Sequence, residues 1–550
     1  MSTIDTAPDA SRSLDDASAR PNAVAGWATS TDGSVIGRTF VAASSLALLG
    51  AIALGVLLGI ERIDGGGTVI DAGAIPQLFV AHRVALVYGV GVPLLLGLAI
   101  AVVPAQLGAR SLSFPRLASA GLWTWIGGLV LVMVSLANNG GPAGGDPDMV
   151  DLFLAAHALM LIGLGAAAAS VAATVLTARA PGMTMRRVPF FSWSALVASL
   201  GLVLVLPVVL GTLLYLFVDH RYAGRTLFGG NIGIGAWIGF ALTQPVTYLF
   251  VLPAVGVLAE LVPITFRRRM PLRGVVYTGL GLVGAAAFAG IAQQTGHEVP
   301  WSGSGLDLDG FGDKVRDLAV FALFHLVPLL GVLVVLAAGA FAGKPGPTSA
   351  GRPRITAGFV GAFLGVGMIM TGMVGGALLP IVDLGLGGTV FEEAALVYVV
   401  YGGVLAALGA MCHWAPLWWG RLIPDRAALG LIALGLVATV LASLPYYVAG
   451  FADQPAMSAD HDYGGPSTLW NVAVTGGHAL MGLVALAFAG LVAKAARGDG
   501  DTADDDPWEA HTLEWSGPLP VASRDAVEIP TVMSPEPLLD SRAAPQEAVR

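Results

Sequence analysis

The stretch WIGFALTQPVTYLFVLP, Trp237 to Pro253, is apolar enough to sit in lipid, yet it contains Gln244, Pro245, Thr247 and Tyr248. Proline removes a backbone donor from a helix, and an amide in hydrocarbon needs a partner. Gln244 and Tyr248 are one helical turn apart, so an amide and a phenol share a face. Gln293 and Gln294 close the next apolar run. Three glutamines and a tyrosine on two adjacent helices can form a buried polar pocket, or the amides can face outward.

Of nine histidines, His82, His157, His325, His413 and His478 fall within or at the ends of apolar runs. An imidazole at membrane depth is a functional candidate, although a hydrogen bond to a neighbouring helix satisfies it equally well. No two of the five make a His-x-x-x-His or His-x-His pair, so a metal or haem would need one ligand from each of several helices. His297, His461 and His511 read as surface residues of loops or tails, and His220 as interfacial. Glu392 and Glu393 open an apolar run, where carboxylates meet the positive end of a helix. Serine, histidine and aspartate show no hydrolase spacing, and no phosphate-binding or dinucleotide motif occurs in context. Cys412 is the one cysteine, which excludes an intrachain disulfide and a multi-cysteine metal site.

The elements that must position these residues follow from composition. Apolar residues make up 55% of the chain and charged residues 12%, with a mean hydropathy of +0.76. The apolar residues come in continuous runs of about 20, each long enough to cross a bilayer core of ~30 Å. Lipid offers the backbone no hydrogen-bond partner, so continuous runs must be helices. The expected fold is all-α: a polytopic membrane protein of about twelve transmembrane helices, from near 36–60 to near 469–495. Arginines cluster in alternate loops, such as Arg267, Arg268 and Arg269, which predicts an inner-membrane protein with both termini in the cytoplasm. Residues 1–35 read as a disordered tail, 36–497 as the membrane domain, and 498–550 as an acidic, proline-rich and disordered tail. No signal peptide is expected. The 74 glycines read as packing sites that let helices approach closely. A lipid bilayer is the implied partner, and nucleic acid is not.

Local motifs then carry a resemblance. AHRVALVYGVGVP, LGARSLSFPRL, VDLFLAAHAL, HWAPLWWG, LWN and the tail run DPWEAHTLEW together resemble subunit I of the haem–copper oxidases, the cytochrome c oxidase type, across roughly residues 36 to 520. The resemblance implies a twelve-helix bundle, electron transfer from cytochrome c to oxygen coupled to proton translocation, two haems and a copper, and companion oxidase subunits. It makes His82 an axial ligand of the low-spin haem.

The same resemblance exposes departures. The family's copper-binding His-Pro-Glu-Val-Tyr is replaced by Gln244, Pro245, Val246, Thr247 and Tyr248, and its His-His pair by Gln293 and Gln294. Counting back from His413 and Trp414 puts Ala394, Ala395 and Leu396 where His-Phe-His should ligate both haems. Ser111, Val332, Gly387–Gly388 and Ala456–Met457 stand in for proton-path, metal and propionate-binding residues. An amide is a poor copper ligand, so no copper site is expected. Haem is expected to be absent too, with His82 the one position that could still hold it. The expected function is that of a subunit I-like respiratory-chain protein, catalytically impaired or silent. The alternatives are an active terminal oxidase with an atypical cofactor set, and a pore or small-molecule transporter that reuses the bundle.

Overall fold

The computed structural model describes residues 23–64, 69–141, 144–222, 232–287, 318–319, 321–344, 352–458, 466–521 and 531–543, with side chains of 232–246 left aside. Among the described residues, twelve helices carry the membrane domain. They are α1 (Gly33–Asp64), α2 (Ile75–Gln106), α3 (Pro115–Ala137), α4 (Pro147–Thr177), α5 (Phe190–Tyr222) and α6 (Ile232–Thr265). They continue as α7 (Arg273–Gly284), α8 (Ala322–Gly343), α9 (Ala357–Leu378), α10 (Phe391–Trp419), α11 (Asp425–Phe451) and α12 (Ser467–Ala496). Among the described residues, eleven helices are long and apolar enough to cross a membrane. The twelfth expected span begins at α7, and Gln293 and Gln294, expected at its end, lie outside the described residues.

The helices form an inner set and an outer ring. The apolar windows of α2, α6 and α10 are wholly enclosed, whereas α3, α11 and α12 turn most of theirs outward. A helix that is apolar all round must be buried or face lipid, and both solutions occur here. Leu204, Leu434 and Leu483 are among the outward residues. The candidate polar groups sit on the enclosed helices and on the inner faces of their neighbours.

Glycine sets how close the helices come. A Cβ at Gly365 of α9 would stand 2.5 Å from the carbonyl oxygen of Gly402 in α10, and a Cβ at Gly402 would stand 2.7 Å from the oxygen of Gly365. The two backbones touch only because neither carries a side chain, the small-residue packing expected of lipid-embedded helices.

Two helices carry a π turn. In α2 the stretch Ala85–Gly91 closes with Val92 N–H donating to the oxygen of Val87, five residues back. In α8 the stretch Ala322–Leu326 closes with Val327 N–H donating to Ala322. Each adds a residue to a turn next to a buried histidine, His82 or His325.

The ends differ from the sequence expectation. Trp27, on a helical turn at Ala23–Ala28, packs edge-on against Trp123 of α3. Residues 498–521 and 531–543 lie folded on the arginine-rich end of the bundle. Leu422 N–H donates to Asp501 O at 2.9 Å, Val532 N–H to Pro181 O at 2.8 Å, and Met270 N–H to Glu536 Oε1 at 3.1 Å. A polar tail is held where it supplies partners for loop groups that would otherwise be left unpaired.

Candidate functional site

Around His82 the bundle assembles a closed polar network from five helices. Arg62 ends α1, His82 lies on α2, Glu393 and Tyr401 on α10, Tyr446 on α11 and His478 on α12, and all are buried. Arg62 Nη1 donates to Glu393 Oε2 at 2.8 Å and to the Tyr446 hydroxyl at 3.0 Å. Its Nη2 donates to the backbone oxygen of Ala456 at 2.6 Å. The other carboxylate oxygen of Glu393 is 3.3 Å from His82 Nδ1. The His82 and His478 rings meet edge to face with centroids 5.7 Å apart, and His478 Nδ1 is 2.7 Å from the Tyr401 hydroxyl.

The network is built on charge compensation. A guanidinium stripped of water must be paired and hydrogen-bonded, and Arg62 has a carboxylate, a phenol and a carbonyl. Glu393 sits in the first turn of α10, as the sequence reading placed it, but its main partner is a cation from α1 rather than its own helix end. Sequence reasoning passed over Arg62 as the end of a span and gave Glu393 a helix-end role. A lone arginine closing the first apolar run and a second carboxylate opening the tenth were the available signals.

The Tyr248 region forms a second, smaller site. Thr247 and Tyr248 of α6 face Arg83, Glu392, Ala395 and Leu396 around a cavity of about 30 Å³. That is about one water's share of the liquid. Arg83 and Glu392 are ion-paired at its edge. Tyr248 reaches α8, with its hydroxyl 3.4 Å from His325 Nδ1. The side chain of Gln244, and Gln293 and Gln294 altogether, lie outside the described residues, so the expected amide cluster does too. Among the described residues, no three of His, Cys, Asp and Glu gather closely enough to hold a metal ion.

A third cluster joins motifs far apart in the chain. Trp508 Nε1 of the tail donates to the backbone oxygen of His413 in α10 at 2.9 Å, and their rings stack with centroids 5.6 Å apart. Trp515 also meets the His413 ring, edge-on, with centroids 5.2 Å apart. Glu514 Oε1 accepts from Gln106 Nε2 at 2.9 Å, and Gln106 Oε1 accepts from the Ser192 hydroxyl at 2.7 Å. Burial raises the Glu514 pKa above its ordinary range. It also lowers His511, with help from Arg542, Arg269 and Arg273, to about 4. His511 is therefore a buried residue, not the surface histidine the sequence suggested. His220 is buried as well, 2.8 Å from Asp151.

Comparison with known proteins places this architecture. Residues 35–480 match the family described as cytochrome c and quinol oxidase polypeptide I. The chain belongs to that family. It is similar to a putative cytochrome c oxidase subunit 1-beta of Streptomyces avermitilis, 28% identical over 538 residues, covering 94% of this chain and 91% of the relative. Similarity extends to cytochrome c oxidase subunit 1 of Corynebacterium glutamicum, 27% identical over 536 residues, with 93% and 88% covered. A probable cytochrome c oxidase subunit 1 of Bradyrhizobium diazoefficiens is 27% identical over 534 residues, with 90% and 75% covered. The family region, residues 35–480, takes in all three clusters except the tail residues.

Proposed function

We propose that this oxidase polypeptide I homologue serves in a respiratory oxidase assembly of the plasma membrane, with both termini in the cytoplasm, and does not itself reduce oxygen. The observation that carries the reading is the packing around His82. A haem iron would take Nε2 of His82, and Glu393 at Nδ1 is the kind of partner a ligating imidazole keeps. The space a macrocycle needs is filled instead: the His478 ring packs edge to face on His82, and Leu396 lines a neighbouring cavity of only about 30 Å³. This packing does not fit a haem. The folded tail and its contacts with His413 support a subunit role, because a tail docked on the arginine-rich end gives companion subunits an ordered surface to bind. A pore finds little support in a cavity of about 30 Å³ beside Tyr248.

The test is a dithionite-reduced minus oxidised spectrum of the purified chain, together with the proteins that accompany it. Haem-free protein that brings oxidase subunits with it is the expected result. Two haems per chain would overturn the ligand reading, and purification without companion subunits would overturn the assembly reading.

A further inference from the structure

A second cavity, larger than the one beside Tyr248, lies away from all three clusters. It occupies about 560 Å³ where α1, α2, α10 and α12 meet, and it opens toward the outside of the bundle. That volume falls within the roughly 300–1,000 Å³ of sites that enclose small molecules. Its floor is made of Leu48, Leu94, Val404, Met481 and Phe488, all buried, so the groove enters between the helices rather than lying on them. The lining runs from Val35 to Leu48 on α1, from Val404 to Trp419 on α10 and from Met481 to Ala493 on α12. At 1.5 Å per residue each stretch is about 18–22 Å long. One leaflet is about half of a ~30 Å hydrocarbon core, so the groove is deep enough to take a whole chain from one leaflet.

Its two ends differ in chemistry. The deep end, around Leu48, Leu94, Val404 and Met481, is apolar, and Ser45 on the wall keeps its hydroxyl on the Val41 oxygen at 2.7 Å. The mouth lies at the ends of α1, α10 and α12 and is framed by Trp27, Trp418, Trp419 and Arg38. Indoles at this level are interfacial residues, apolar on one side and polar on the other. Trp27 is fixed there by donating from Nε1 to Thr39 Oγ1 at 3.1 Å. Arg38 uses Nε on the backbone oxygen of Ser34 at 3.1 Å, and among the described residues no acceptor takes a hydrogen bond from its Nη groups. The nearby carboxylate, Asp32, is held on Ser34 N–H at 2.9 Å, where it caps α1. The mouth thus offers free cationic donors above an apolar slot of one leaflet's depth.

We propose that this groove is a binding site for an anionic phospholipid, with one acyl chain between α1, α10 and α12 and its phosphate on Arg38. A zwitterionic lipid could fill the slot but would place its own cation beside Arg38. With Asp32 engaged on Ser34 N–H, the unused Nη donors of Arg38 therefore favour the anionic class.

Photoreactive phosphatidylglycerol and phosphatidylcholine, each in vesicles holding the full chain, test the site. Phosphatidylglycerol should label peptides of α1 and α12 in preference to phosphatidylcholine. Arg38→Gln should keep the labelled peptides but reduce that preference roughly fivefold, the factor one cation contributes near an anionic surface. Ala42→Trp and Ala489→Trp each fill the groove from an exposed wall position, so folding should survive while labelling is lost. Equal labelling by the two lipids, or labelling that survives both tryptophans, would overturn the proposal. So would an isoprenoid quinone or a second copy of the chain recovered at these peptides in place of phospholipid.

Discussion

Glu393 shows how one residue can be read correctly in place and incompletely in role. Its position at the start of α10 was visible in the sequence, and so was the reason a carboxylate suits a helix start. Its partner was not, because Arg62 is 331 residues away and nothing local to either residue announces the pair. Removing one member of a buried ion pair leaves the other charge stranded. Glu393→Ala should therefore destabilise the protein by about 3–5 kcal/mol, while the double change Arg62→Met with Glu393→Leu should recover most of that loss. Thermal unfolding in detergent compares the three proteins; a Glu393→Ala midpoint equal to the parent would show that the pair holds nothing together. His82, singled out from the start, is placed beside this pair, whereas His478 became informative only once α12 stood against α2. Gln244, Gln293 and Gln294 keep the status of an expectation, while Tyr248 is placed beside His325 and a cavity of about 30 Å³.

At the scale of the element, run length and continuity made the helices legible, because lipid leaves the backbone no other choice. Their pairing was not legible, since a leucine facing lipid and a leucine facing a neighbour look alike in the sequence. Glycine supplied a general hint, and the structure turns it into named contacts such as Gly365 on Gly402. Gly365→Ala forces a methyl group against a backbone oxygen 2.5 Å away and should cost roughly 1–3 kcal/mol, as overpacking does. Gly367, two residues on, has nothing within 4 Å of its would-be Cβ. Gly367→Ala should be neutral or slightly stabilising, which makes it the control in the same unfolding experiment. If both substitutions behave alike, the close approach of α9 and α10 is not what matters there. The π turns in α2 and α8 were not foreseen, although each runs directly into a Val-Pro pair, Val92–Pro93 and Val327–Pro328, whose proline removes a donor from the helical ladder.

Across the whole molecule, the polar tail is where sequence composition misled most. Acidic and proline-rich residues read as disorder, yet Ala510, Leu513 and Trp515 are buried against the bundle. The ordered motif DPWEAHTLEW was the sign that part of the tail is shaped by contact. Its docking should depend on pH through His511. The docked imidazole titrates near 4 and a free one near 6.5, so below 6.5 the undocked tail binds a proton that the docked tail refuses. This contribution to docking is complete above pH 6.5 and is lost as pH falls toward 4. The raised Glu514 and Glu536 act in the opposite sense, so the effect is isolated by comparison with His511→Gln. The protection of residues 508–515 against hydrogen exchange, relative to the intrinsic rate at each pH, should fall more on acidification in the parent than in the variant; parallel profiles would remove His511 from the account. The bond from Gln106 to Glu514 spans 408 residues and carries one further consequence. During synthesis the second helix is made long before the twelfth, and its amide waits for a carboxylate that follows every described membrane helix. A chain cut between Ala496 and Glu514 keeps those helices and still leaves that amide without its carboxylate. The closing of this one contact thus reports that synthesis has passed the tail motif.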